Sequence, residues 1–247
     1  MDAVVLGLFL FATFVGAVVS GVAGFGMGVV FAGTWAHILT PIQVATLIVG
    51  YGLITQSYGV WKLRHALSWR RLAPFIIGGA LGAPIGALLL TYIDPTYLTP
   101  VVGVLLVAYS MYGLARPAFE PMQVGVKADS AIGVLNGLLG GLTGLVGIIV
   151  TIWCQLRGWP KDEQRSVFQP VMVAASALTA ISLSIAGVVT AETVTLYLLG
   201  LPLLFAGVWL GFKLYGTLDD ALFRKVLLAL LLMSGLVMTV LHVSDLL

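Results

Sequence analysis

Two glycine-rich segments hold the residues of this 247-residue chain best suited to chemistry: SGVAGFGMG at 20–28 and NGLLGGLTG at 136–144. Glycine has no Cβ, so the backbone there can turn sharply and approach a ligand closely. A helix interrupted by such a segment leaves N–H groups without intrahelical partners at the start of its second half, and these carry about half a positive charge. The chemistry this offers is the holding of an oxyanion by neutral groups. Ser20, Gly21, Gly24, Phe25 and Gly26, with Asn136, Gly137, Gly140, Gly141 and Thr143, are therefore candidate binding residues, and Gly24 and Gly140 are the paired break positions. The competing reading makes the glycines packing positions, since Gly24 and Gly28 have small-xxx-small spacing.

Other polar residues inside uncharged stretches are few. Gln56 and Gln169 join the candidate binding set, and Pro170 after Gln169 frees a backbone carbonyl one turn earlier. Trp35, His37, Trp153 and Arg165 are candidates for gating or for collecting a ligand at a mouth; His37 and Gln155 stand at equivalent places beside the two tryptophans. Trp61, Trp69 and Trp159 read as interface anchors, and Gly78, Gly82 and Gly86 as packing positions. No pattern calls for a metal, a cofactor or a catalytic residue. The single cysteine, Cys154, excludes an internal disulfide.

The elements that must position these residues are set by composition. Only 9% of the chain is charged and 60% is hydrophobic, whereas a soluble domain needs roughly 25% charged residues to cover its surface. Uncharged stretches run over 72–93, 95–115, 130–156, 166–191, 193–212 and 226–244, with a longer one at 3–61 interrupted at Pro41. Most match the ~20 residues that cross a hydrocarbon core as a helix. The first residues have no basic region before the apolar run, which marks a retained segment and not a cleaved signal.

All twelve basic residues fall in gaps that fit one face of the membrane: Lys62, Arg64, Arg70 and Arg71; Arg116 and Lys127; Arg157, Lys161 and Arg165; Lys213, Arg224 and Lys225. Basic residues prefer the cytoplasm, so these gaps are inside and the gaps at Asp94 and Glu192 outside. Stretch 130–156 then enters and leaves on the same face, as a hairpin broken in GLLGGLTGLVG. Residues 3–38 do likewise, and both chain termini fall outside.

The two hairpins open two similar halves. Ser20-Gly21 aligns with Asn136-Gly137, Gly24 with Gly140 and Gly28 with Gly144, all 116 residues apart; Trp35 pairs with Trp153 and Pro41 with Pro160. Later, Gly82, Gly86, Asp94 and Val101 match Gly207, Gly211, Asp219 and Val226 at a spacing of 125. Each half is a Gly-broken helical hairpin followed by three transmembrane helices, an odd number of net crossings. The fold expected is an all-α polytopic membrane protein of two inverted-topology repeats: residues 1–114, a cytoplasmic linker at 115–128, and residues 129–247. Inverted repeats are a common transporter design, with substrate held near the midplane at the repeat interface.

In its Gly-rich openings SGVAGFGMG and NGLLGGLTG, followed by proline-punctuated helices at ILTPIQVAT and RGWPKDEQRS, the chain resembles the sulfite exporter TauE/SafE family of anion transporters over almost its whole length. The resemblance implies export of sulfite or a small organosulfonate across the inner membrane. Partners are then a small anionic substrate and the bilayer, without nucleic acid, and a homodimer is compatible with this design. No Arg or Lys lies within a predicted span, so neutral groups are expected to hold the anion. Two other classes fit parts of the pattern: an anion channel of the same architecture, and, more weakly, an intramembrane hydrolase using Ser20 with His37.

Overall fold

Uncharged stretches in hydrocarbon must satisfy their own backbone groups, and this chain does so as helices. The computed structural model describes residues 2–244 apart from 36–37, 90–91, 93–97, 116–120 and 144–145. The described helices are α1 (Ala3–Ala23), α2 (Met27–Trp35), α3 (Pro41–Lys62), α4 (Trp69–Leu89), α5 (Leu98–Ala115), α6 (Val126–Thr143), α7 (Ile148–Leu156), α8 (Lys161–Ile185), α9 (Ala191–Thr217) and α10 (Asp220–Ser244). Each half is thus two helices joined at a break, followed by three more.

Five helices, α1, α4, α8, α9 and α10, are long and apolar enough to cross a membrane. At 21 residues, α1 rises ~31 Å, about the thickness of the hydrocarbon core. The nine residues each of α2 and α7 rise only ~14 Å, which makes them half-helices. The polar content of α3, from Gln43, Thr46, Thr55, Gln56 and Ser57, keeps it less apolar than those five. Only about a third of the spans α1, α4, α9 and α10 is buried within the chain. Phe11, Ile77, Leu81, Leu88, Phe205 and Trp209 remain more exposed than not and form the lipid-facing side.

Both hairpins fold back on themselves. In the first, α2 lies against α1: Phe31 and Met27 meet Gly16, and Trp35 stacks on Phe9 with ring centroids 4.9 Å apart. In the second, Trp153 near the end of α7 donates a 2.8 Å hydrogen bond to Asp129 in the first turn of α6. The second break lies later than the glycine density suggests. Helix α6 runs on through Gly137, Gly140 and Gly141, and α7 starts after Gly147. Gly140 is therefore helical and not a break position.

By contacts the chain forms two compact units, residues 1–61 with 173–219, and residues 62–172 with 220–247. The first holds α1, α2, α3, α9 and the later part of α8; the second holds α4 to α7, α10 and the start of α8. In the first unit α1 packs on α9, and in the second α6 packs on α4. The two contacts share one register. A Cβ on Gly207 would meet Phe14 O and Val18 N, and one on Gly78 would meet Ser130 O and Val134 N; both pairs of targets are 116 residues apart. Likewise Gly21 sits on Val208 O and Gly137 on Gly79 O. The packing equivalents in α4 and α9 are thus Gly78 with Gly207 and Gly82 with Gly211, a spacing of 129 and not 125. The difference is one helical turn, within which a sequence alignment of small residues cannot choose.

These contacts put glycine against opposing backbone, where an added side chain has nowhere to go. Gly207→Val should lower stability by about 1–3 kcal/mol or more through overpacking, whereas Gly7→Ala, with nothing near its Cβ position, should leave the melting temperature in detergent unchanged.

Candidate helix-break site

The first break is built by three residues. Gly24 closes α1 in the left-handed conformation (φ 85°), donating its N–H to Ser20 O at 2.8 Å, and Gly26 (φ 91°) directly precedes α2. Both φ values are unfavourable for any residue with a Cβ. Phe25 lies between them. Ser20, in the last turn of α1, is only 3% exposed, and its Oγ has no hydrogen-bond partner among the described residues. A buried hydroxyl without a partner is costly, so Ser20 is the side chain here with a hydrogen bond to offer.

Behind this break stands an aromatic cluster. Phe31 stacks on Trp35 at 3.6 Å between centroids, and Tyr51 meets Trp35 edge-on at 6.0 Å. The Tyr51 hydroxyl lies 3.1 Å from Leu196 O and 3.0 Å from Tyr197 O. Trp35 is fully buried here. It is part of the core of its unit.

The second break is organised differently. Gly147, at φ 89°, is the residue before α7, and its N–H donates to Asn136 Oδ1 at 3.0 Å. Asn136 therefore spends its carbonyl oxygen on shaping the break. Thr151 returns both its N–H (2.9 Å) and its hydroxyl (2.8 Å) to Gly147 O, and Thr143 bonds to Leu139 O of its own helix at 2.8 Å. A Cβ on Gly147 would also strike Met172 of α8, whose Cγ lies 2.9 Å from that position.

Of the candidate binding residues, Gly24, Phe25 and Gly26 stand at a break and Ser20 and Asn136 beside one. Gly21, Gly137 and Gly141 are helical, and a Cβ added to each would come within 2.8 Å of Gly211 Cα, 2.8 Å of Gly79 Cα and 2.9 Å of Ala87 N respectively, so packing accounts for them. Gln56 is buried in α3 of the first unit, and Gln169 in α8 of the second. Gly147, the last residue of the segment GLLGGLTGLVG, is the one that the sequence reading did not single out. Its signal was its place directly before the uncharged run IIVTIWCQL, as Gly26 stands directly before MGVVFAGTW.

Around the second hairpin the polar groups form a tie at its ends. Besides the Trp153 bond, Asp129 Oδ2 lies 3.9 Å from Arg157 Nη2, and Arg157 donates to Val124 O. Trp153 thus fastens the hairpin shut. Gln155 accepts from Tyr109 at 3.2 Å. Arg165 is fully buried in the second turn of α8. His37, and with it the geometry of a Ser20–His37 pair, lies outside the described residues. Among the described residues no cluster of His, Cys, Asp or Glu could hold a metal ion.

Comparison with known families gives one match, to the model described as sulfite exporter TauE/SafE, over residues 8–238. No curated protein and no solved structure matches the chain.

If Asn136 orders the break by accepting from Gly147, Asn136→Ala should lower stability by about 1–3 kcal/mol, the cost of a buried N–H left without a partner, and reduce ligand binding with it. Gly147→Ala should be worse, because it adds a disfavoured φ of about 1–2 kcal/mol to the clash with Met172. Gly140→Ala, whose Cβ would meet only the movable side chain of Val146 at 2.8 Å, should be mild. Melting curves of the three purified variants decide the order.

Proposed function

Because the chain belongs to the sulfite exporter TauE/SafE family, whose model spans residues 8–238, we propose that this membrane anion exporter carries a small sulfur oxyanion or organosulfonate such as sulfite or sulfoacetate. The observation that carries this reading is the repeated half-helix. Two nine-residue helices, α2 and α7, each start at a positive-φ glycine after an antiparallel partner. At such a start the first backbone N–H groups are free for a ligand, and the helix dipole favours negative charge. In the first break Ser20 Oγ adds a donor; in the second, Asn136 keeps the loop in place.

The halves are inverted repeats, with substrate bound near the bilayer midplane at the depth of the breaks. In this arrangement all the basic gaps face the cytoplasm and both termini the outside, in the inner membrane. An inside-negative potential then drives anion exit by about 2.3 kcal/mol per charge per 100 mV. That is enough for export without a coupled ion. The hydroxyl and amide groups of the hairpins suit a tetrahedral or pyramidal oxyanion, which takes several hydrogen bonds at once.

Purified protein in proteoliposomes should release sulfite, sulfoacetate or isethionate faster than protein-free vesicles, and faster when the interior is negative. Absence of flux for all three sulfur anions overturns the reading, and unitary currents in planar bilayers would turn the carrier into a channel. Topology has a separate check. In a Cys154→Ala background, Ala186→Cys should react with an impermeant thiol reagent from outside and Arg64→Cys from the cytoplasm. Labelling of both from one side removes the inverted arrangement.

A further inference from the structure

We propose that Arg165 is the cation of the transport pathway, drawing the anion in from the cytoplasmic mouth and passing it along one face of α8 to the second helix break. The proposal rests on the export of a sulfur anion argued above. Basic residues that serve topology alone sit in the headgroup region with their charge in water, as exposed Arg64 and Arg70 do. Arg165 does not. It lies inside α8 and is fully buried, next to buried Gln164 and Ser166.

Its helical face leads somewhere specific. Gln169 is four residues on and Met172 seven, positions that share one side of a helix. Gln169 is buried, and Met172 touches Gly147, the left-handed glycine at the start of α7. Arg165, Gln169 and the break thus lie in a row, about 10 Å from Arg165 to Met172 along the helix at ~1.5 Å per residue. All belong to the same compact unit. A guanidinium has five N–H donors, enough to be held in place by protein groups and still meet an oxyanion. Next along the row stands buried Gln169.

Symmetry gives this arginine a direction. Arg165 stands five residues after Pro160, and the residue five after the matching Pro41 is Thr46. Thr46 is neutral, and its hydroxyl is returned to Ile42 O at 2.8 Å. In the inverted topology Thr46 stands at the outer end of α3. The inner mouth therefore attracts an anion and the outer mouth does not retain it, which is the polarity an exporter needs.

The test compares wild type, Arg165→Gln, Arg165→Lys and the exposed control Arg70→Gln in vesicles assayed from each face, with sulfite as probe and a melting curve beside each. Arg165→Gln should raise the half-saturating sulfite concentration at the cytoplasmic face at least ten-fold, change the outer face little, and lose the sulfite-induced rise in melting temperature. Arg165→Lys keeps the charge but not the two-pronged contact and should raise the cytoplasmic value at least three-fold. Arg70→Gln should match wild type. Equal loss at both faces with a lowered melting temperature makes Arg165 structural and overturns the proposal. If Arg165→Gln does not fold, an unchanged cytoplasmic value in folded Arg165→Lys does the same. Wild-type flux with an unaffected Arg165→Gln defeats this role alone, whereas a wild type that moves no sulfur anion defeats the export reading and this proposal with it.

Discussion

Inside hydrocarbon a backbone N–H or C=O without a partner is among the costliest things a chain can contain, and the architecture of this protein follows from where it accepts that cost. The helices satisfy themselves. Near residues 24–26 and 147 the ladder is interrupted, and local devices contain the damage: Gly24 returns its N–H to Ser20 O, and Asn136 takes the N–H of Gly147. Both devices stand just before a nine-residue helix, α2 or α7.

Breaks of this kind hold their shape only if the helices around them are fixed. The apolar effect cannot press helices together in lipid, so close van der Waals contact has to do so. Gly207 and Gly211 let α9 lie directly on α1, and Gly78 and Gly82 let α4 lie on α6 in the same register. The long helix of each hairpin is thereby held by a helix from the opposite half of the sequence. Each unit mixes helices from both halves of the sequence.

On this repeated frame the chemistry is unequal. Trp153 is tied to Asp129, with Arg157 beside it, while Trp35 is enclosed by Phe9, Phe31 and Tyr51. The place of Asp129, 116 residues earlier, is Thr13, whose hydroxyl turns back to Phe9 O. One hairpin is closed by charge and hydrogen bonds and the other by stacked rings.

Membrane insertion, the count of elements and the pairing of two hairpins with three helices each were legible in the sequence, because charge placement and hydrophobic length are local properties that hydrocarbon enforces residue by residue. The presence of both breaks was legible too, from glycine density. Their positions were only partly so: Gly24 was identified, but Gly140 was taken for the break that Gly147 makes, since a glycine's tolerance of positive φ says where a turn is allowed and not where it occurs. Gly21, Gly137 and Gly141 show the same limit, for a glycine facing a ligand and one facing a helix have identical side chains. Which helix lies opposite, in which register, and whether Arg165 reaches water or is enclosed are decided by contacts between residues far apart in sequence, such as Gly78 with Ser130 and Gly207 with Phe14. Only the tertiary structure, where backbone meets backbone, settles them.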